Sequence, residues 1–252
     1  MKKALMITLE KLSEEPYASI LCYPRPNKAE LKKRLKELQK LSVKALEFSG
    51  EKEAFNIPVL GKGYVGIVTV AYRNMEKMAI KIRRVDADRS RMQQEAEMLE
   101  KANSVSVGPK LLGVSKNFLL MQFIDGDLPP KWLEKRREKA QVRKVLREVL
   151  EQCWRLDEAG LDHGELSHAP KHIIINKKSK PFIVDFETAS LIRKPSNVTS
   201  ICQFLFISGL VARKVAEKLG EKDRATIIDV LRRYKKDRTR ENFERVLKVC
   251  IL

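Results

Sequence analysis

Three glycines in Gly61-Lys62-Gly63-Tyr64-Val65-Gly66-Ile67-Val68 form a GxGxxGxV spacing. Without a Cβ, such a turn lets backbone N–H groups close on phosphate oxygens. A dinucleotide-binding turn would open a helix after the third glycine. Here Ile67, Val68, Thr69 and Val70 are β-branched and read as strand. The segment is therefore a strand–loop–strand, with Gly61, Lys62, Gly63, Gly66 and Val68 as candidate contacts to a triphosphate. Fifteen residues beyond Gly66, Lys81 sits in the strand-like Met78-Ala79-Ile80-Lys81. A lysine among strand-forming apolar residues is costly to bury without an anion. Glu95, on the following helical stretch, is its candidate partner. Glu97 would point about 200° away around that helix and is the weaker alternative.

Two further clusters carry carboxylates. Asp162-His163-Gly164-Glu165-Leu166-Ser167 offers Glu165, and as a rival Asp162, to take a proton from a hydroxyl, with His163 beside them. Ile183-Val184-Asp185-Phe186-Glu187 offers two carboxylates, Asp185 and Glu187, two residues apart. Lys171 and His172 lie between these clusters.

The periodicity predicts the elements that must place these groups. A strand over Ala18 to Tyr23 precedes a helix that starts at the N-cap Asn27, with Glu30 at capping-box spacing, and runs to about Phe48. Strands follow at Ile67 to Tyr72 and Met78 to Ile82, then a helix over 89–103 and strands at Lys110 to Val114 and Phe118 to Ile124. From Asp125-Gly126 onward the pattern is mainly helical: 130–159, 198–219, 225–234 and 240–249. A hairpin of Ile173 to Ile175 and Phe182 to Asp185 interrupts it. A β-rich half before an α-rich half predicts an α+β fold of two lobes. The expected division is an N-terminal extension with a basic helix (1–56), a β-rich lobe (57–125) and a helical lobe (126–252).

Composition narrows the classes. The 252 residues are 43% hydrophobic, enough for a packed core and against a disordered chain. The longest apolar stretch, Ile201 to Ala212, has 12 residues, too few to span a bilayer. The N-terminus begins like a signal peptide, but Glu10 ends its apolar run and no small-residue cleavage site follows, so a cytoplasmic location is expected. The four cysteines form no CxxC pair and read as reduced packing residues, with Cys250 expected at the surface. His163, His168 and His172 fall within ten residues without cysteine spacing for structural zinc.

Taken in order, the glycine loop, AIK, HGEL and VDFE motifs resemble those of small atypical protein kinases. The similarity is to the RIO type, or to the kinase of the archaeal tRNA-modifying KEOPS complex, and covers Gly61 to Ala189. It implies a protein-kinase-like fold that binds ATP and Mg²⁺. It further implies Lys81 oriented by Glu95, Asp185 on the metal, and Glu165 as base. It makes the strand ending at Met121, Gln122 and Ile124 the hinge that meets the adenine. Three departures stand out: glutamate replaces the catalytic aspartate; an insertion after Ser167 removes the metal-binding asparagine, with His172, and Lys171 second, as candidates for its place; and DFG reads Asp185-Phe186-Glu187, where Glu187 either assists the metal or disfavours loop movement. These leave a nucleotide-binding pseudokinase open. No long activation segment or APE-like element follows Asp185, so the usual platform for peptide substrates is missing.

The charge then bears on the partner. Lys and Arg number 51 against 33 Asp and Glu, a net +18. The surplus concentrates at 28–44, 131–147 and 232–240, with seven, eight and six basic residues against two, two and one acidic. A thermophile's solvated surface would balance the signs. No basic stretch carries an aromatic anchor face for a membrane. Nucleic acid is the expected partner, with Lys32, Lys33, Lys36, Arg136 and Arg137 as phosphate contacts. The chain is expected to be a monomer. A branch of these kinases resembles the enzyme that phosphorylates a ribose 2′-hydroxyl of a variable-loop uridine in tRNA. The expected activity is therefore ATP-dependent RNA kinase. A RIO-like protein serine/threonine kinase or an RNA-binding pseudokinase is the alternative.

Overall fold

The computed structural model describes residues 5–88, 90–135 and 138–250. It is mixed α+β, with a β-sheet N-terminal region and a helical C-terminal region, as a kinase-like fold requires. Two units divide it: residues 1–100 with 110–123, and residues 101–109 with 124–252.

In chain order the first unit holds β1 (Leu5–Thr8), α1 (Tyr17–Leu21), α2 (Lys28–Lys40), β2 (Ala45–Phe48), β3 (Lys52–Ala54), β4 (Ile57–Val59) and β5 (Gly61–Lys62). It continues with β6 (Gly66–Arg73), β7 (Glu76–Arg83), α3 (Arg91–Ser104, its last turn grouped with the second unit), β8 (Leu111–Val114) and β9 (Phe118–Gln122). The sheet runs β1-β2-β6-β7-β9-β8, with β5 beside β6. The N-terminal segment thus supplies two strands of this sheet. Alternation along the strands separates two faces. Met78, Ile80, Ile82, Phe118 and Leu120 pack with Ile20, Leu21, Leu38 and Phe48. Leu119 and Met121 turn the other way, to Met92 and Ala96 of α3. Lys81 shares β7 with Ile80 and Ile82 but lies between them in the pleat, so its side chain leaves the main apolar cluster.

Two expectations fail here. Residues 18–23 are not a strand: Ala18 N–H donates to Glu14 O and Cys22 N–H to Ala18 O, closing α1. A short apolar run fits either period, and burial of Ala18, Ile20, Leu21 and Cys22 decides it. The helix from Asn27 stops at Lys40 rather than near Phe48. Val43 N–H bonds Leu38 O at 3.0 Å and Ser42 N–H bonds Gln39 O at 2.9 Å, a Schellman ending with Ser42 at φ +58°. Serine in the place usually held by glycine gives no sequence signal. The start is as expected, with Asn27 Oδ1 accepting from Glu30 N–H.

The second unit contains β10 (Gly126–Asp127), α4 (Pro129–Glu134), α5 (Lys139–Glu158), β11 (Ile173–Asn176) and β12 (Pro181–Ile183). It ends in α6 (Asn197–Cys202), α7 (Gly209–Leu219), α8 (Arg224–Lys236) and α9 (Arg240–Cys250). β10, β11 and β12 form a small antiparallel sheet. The helix expected over 130–159 is two helices, since Lys135 and Glu138 are both extended. Arg136 and Arg137, expected RNA contacts, lie outside the described residues, as does Arg89. The helix expected over 198–219 is also broken. A π-turn at Gln203–Ile207 leads to extended Ser208 and to Gly209 at φ +93°. Among the described residues no single helix is long and apolar enough to cross a membrane, and α6 and α7 with their connecting turn are bent by 68°. Cys250 is buried, contrary to expectation, because α9 turns Phe243, Val246, Leu247 and Cys250 inward.

Helix α2 is fixed by a buried arginine. Arg34 donates to Leu21 O and Arg83 O at 2.6 Å each, to Asn117 Oδ1 at 3.0 Å and to Glu30 Oε1 at 3.1 Å. Replacing Arg34 by Met strands these acceptors, and removal of a buried charged partner costs about 3–5 kcal/mol. Urea denaturation of Arg34→Met is expected to show a midpoint reduced accordingly at unchanged slope. Exposed Lys32→Met should stay within about 0.5 kcal/mol of the parent. Equal stability of the two variants would mean that Arg34 is not the clamp.

Candidate active site

In the first unit the glycine-rich segment is a hairpin. Gly61 pairs with Val68 and Lys62 with Ile67, and Gly63 N–H donates to Gly66 O at 2.9 Å. The strand continues after the third glycine, so no helix opens there. Gly66 is the glycine that geometry demands: a Cβ would lie 2.8 Å from Ile82 O and 3.0 Å from Lys81 Cγ. Its absence lets β6 lie against Lys81. At Gly61 and Gly63 a Cβ meets nothing closer than 3.5 Å. Lys62 is exposed, donating to Glu53 O at 3.3 Å with its Nζ over the Tyr23 ring. Val68 is half-buried and pairs with Lys81 in the sheet register.

Lys81 and Glu95 are brought together. Both are buried, with Lys81 Nζ 2.7 Å from Glu95 Oε2. Glu97 is exposed and reaches Gln93 instead, which settles the choice between the two glutamates. Met121 and Gln122 are half-buried on β9, opposite Ala79 and Met78. The Gln122 N–H is engaged by Lys110 O at 2.8 Å. Ile124 falls in the second unit, half-buried.

In the second unit the loop at 162–165 is held from several sides. Asp162 exchanges backbone hydrogen bonds with Ser190. Its buried carboxylate accepts from Arg193 Nε at 2.8 Å and from Ser196 N–H at 3.1 Å. Glu165 is half-buried, with its side chain 40% exposed. Of the two candidate bases, Glu165 is therefore the accessible one.

His163 is fully buried. Its backbone N–H donates to Asn197 Oδ1 at 2.9 Å, and ring Nε2 lies 3.1 Å from Val184 O. Nδ1 is buried and unpartnered among the described residues, which fits a neutral ring protonated on Nε2. Burial pulls its pKa down to about 4. The ring meets Phe186 edge-on at 5.1 Å. His163 ties the loop to the segment after β12 that leads to Asp185, a positioning geometry rather than one for proton transfer.

His172 is buried, with Nε2 2.9 Å from Glu165 Oε2 and 3.7 Å from Asp185 Oδ2. The nitrogen lies close to Glu165 but off its own hydrogen-bond direction, so the contact is proximity rather than a formed bond. Burial lowers its pKa against the pull of Asp185 and Glu165. Lys171 is exposed. Asp185 adopts φ +68°, uncommon for a residue with a side chain and frequent at functional positions. Carboxylate oxygens of Asp185 and Glu187 lie within 4.8 Å of one another. Such a hard-oxygen pair suits a magnesium-like cation better than an imidazole nitrogen does.

Sequence reasoning missed the support of this loop. Asn197 donates through Nδ2 to Leu161 O at 2.7 Å and to Asp157 Oδ1 at 2.8 Å. Asp157 also accepts from the N–H of Asn197 and from the Tyr234 hydroxyl, both at 2.9 Å. Burial pushes the Asp157 pKa up while these bonds pull it back. An aspartate on the apolar face of α5 was the available signal. Asn197 at a helix start reads as an ordinary cap.

His163 sets a pH dependence. Its folded pKa, about 4, lies below the ordinary 6.5. The stability from a neutral ring is thus complete above pH 6.5 and lost as pH falls toward 4. The loss amounts to about 3 kcal/mol. Between pH 7 and pH 4 the parent is expected to lose about that much more than His163→Gln in urea denaturation. Parallel losses would place the imidazole in water.

A family model described as RIO domain matches residues 68–200. An uncharacterized protein of Methanocaldococcus jannaschii is 30% identical over 118 residues, 46% of this chain and 99% of that protein.

Proposed function

Because the chain belongs to the RIO domain family, whose kinase-like fold binds ATP and a divalent metal, we propose that it is an RNA kinase transferring the γ-phosphoryl group of ATP to a ribose 2′-hydroxyl of tRNA. The observation that carries this reading is the segment after Asp185. Only eleven residues separate Asp185 from Asn197. They are folded back on the catalytic loop through the Ser190–Asp162 pairing and the Arg193–Asp162 ion pair. That leaves no platform for an extended peptide, while the net charge of +18 favours a polyanionic substrate.

In this reading the glycine hairpin offers backbone amides to the triphosphate, and Lys81, held by Glu95, binds its phosphates. Asp185 and Glu187 hold the divalent cation, with His172 beside Asp185. When bound, that cation neutralises charge on the transferring phosphate oxygens. Glu165 accepts the proton of the attacking hydroxyl. As the new O–P bond forms, the bond between the γ-phosphorus and its bridging oxygen breaks and ADP leaves. His172 packs against the Glu165 carboxylate and limits its rotation, offsetting the freedom of the longer glutamate side chain.

The test is transfer from γ-labelled ATP with Mg²⁺, offering an unmodified tRNA transcript and a generic protein side by side. Label is expected in tRNA, mapping to a ribose after nuclease digestion. Glu165→Gln should lower the rate by about 10²–10⁴ while ATP binding persists, and Asp185→Ala should abolish transfer. Label in protein alone overturns the RNA reading. ATP binding without any transfer overturns the enzyme reading.

A further inference from the structure

Helix α2 separates its charges across its two faces. Lys28, Lys32, Lys36 and Lys40 recur at every fourth residue and are all exposed. Among the described residues none of the four has an ion pair or hydrogen bond. Successive lysines on such a ridge stand about 6 Å apart along the axis, comparable to the separation of successive phosphates on a nucleic acid strand. Both acidic residues of the helix face the other way. Glu37 accepts from Asn117 N–H at 3.0 Å, Asn117 Nδ2 at 2.6 Å and Ser115 Oγ at 2.6 Å. Glu30 takes Arg34 at 3.1 Å and lies 3.8 Å from Arg83.

A merely solvated helix would intersperse its glutamates with its lysines, because opposite charges four apart stabilise it and like charges weaken it. Here the glutamates are consumed inside and the repulsion outside is left uncompensated. The leucines cannot serve as a membrane anchor. Leu38 is in the core, and Leu31 and Leu35 pack against it, leaving no apolar face for a bilayer. The inner clamp also makes the ridge rigid. Through Arg34, Arg83 and Asn117 it is joined to the end of β7, two residues beyond Lys81. The helix precedes residue 68, where the RIO match begins, so the ridge lies outside the matched domain.

We infer that the α2 lysine ridge is a docking surface for the phosphodiester backbone of RNA, held in fixed geometry to the strand that carries Lys81. This rests on the RNA-kinase reading and names where that substrate is gripped. The occupant is an RNA strand, recognised by its regular charge and not by its bases.

The experiment compares the parent with Lys32→Gln/Lys36→Gln and with a charge-matched control, Lys101→Gln/Lys248→Gln. An unmodified tRNA transcript is titrated at several salt concentrations, and tRNA phosphorylation is followed in parallel. The α2 variant is expected to flatten the slope of log K against log salt by about 0.7–0.9 per lysine. Its KM for tRNA should rise several-fold at unchanged kcat and unchanged ATP affinity. Its melting temperature should be equal to the parent's or higher, and the control should match the parent throughout. Parental tRNA binding that both variants reproduce overturns the ridge and leaves the kinase reading standing. Equal weakening by both variants makes the effect one of net charge and likewise overturns it. Binding through the ridge without phosphorylation upholds the docking surface and removes the kinase reading. A parent that binds no tRNA removes both.

Discussion

Asp157 lies near the end of α5 with its carboxylate out of water, and desolvation alone would drive it neutral. Four hydrogen bonds hold it, from Asn197 N–H, Asn197 Nδ2, Val198 N–H and the Tyr234 hydroxyl. The exchange fixes the start of α6, and with it Asn197, which reaches the loop before Glu165. Asn197 divides its amide, giving Nδ2 to Asp157 and Leu161 O and receiving the His163 N–H on Oδ1. His163 then passes the constraint through its ring to Val184 O, one residue before Asp185. A single buried carboxylate therefore anchors both the loop before Glu165 and the segment that leads to Asp185. A buried polar network of this kind is worth having only when every member is satisfied. Here His163 Nδ1 is the exception, tolerated because a neutral imidazole leaves that atom an acceptor of modest desolvation cost.

The first unit solves a different problem, the burial of a cation. Lys81 occupies a strand whose neighbours build the apolar core, and pleat alternation alone moves its side chain off that core. Two features complete the pocket. Glu95 supplies the countercharge at 2.7 Å, and Gly66 supplies the room, since any side chain there would strike Ile82 O or the Lys81 stem. The ion pair is a weak source of stability, because desolving two charges offsets most of their attraction. What the pair does is fix the position of the Lys81 ammonium.

Much of this was legible in the sequence because chemistry fixes both residue type and spacing. The glycine hairpin, the Lys81–Glu95 pair and the 162–165 and 183–187 segments needed only motif order and the period-2 pattern of their strands. What escaped was whatever depends on contacts distant in sequence. Tyr234 and Asp157 are 77 residues apart, and Arg34 and Asn117 are 83 apart; neither pair leaves a local mark. Helix ends escaped for a local reason. Ser42 took the left-handed place of a glycine, and the apolar run through Ile201 to Ala212 hid the break at Ser208-Gly209. The run at 18–23 was too short for its period to separate helix from strand.

The two units use buried charge to opposite ends. In the second, an acid, Asp157, is buried to accept from neutral donors. In the first, Arg34 and Arg83 are buried against Asn117, Glu30 and carbonyl oxygens, and both glutamates of α2 are drawn inward by that arrangement. With both acids of α2 committed to the clamp, its outer lysines stand without a countercharge from their own helix. That fastening fixes the outer lysines of α2 relative to β7, the strand that carries Lys81.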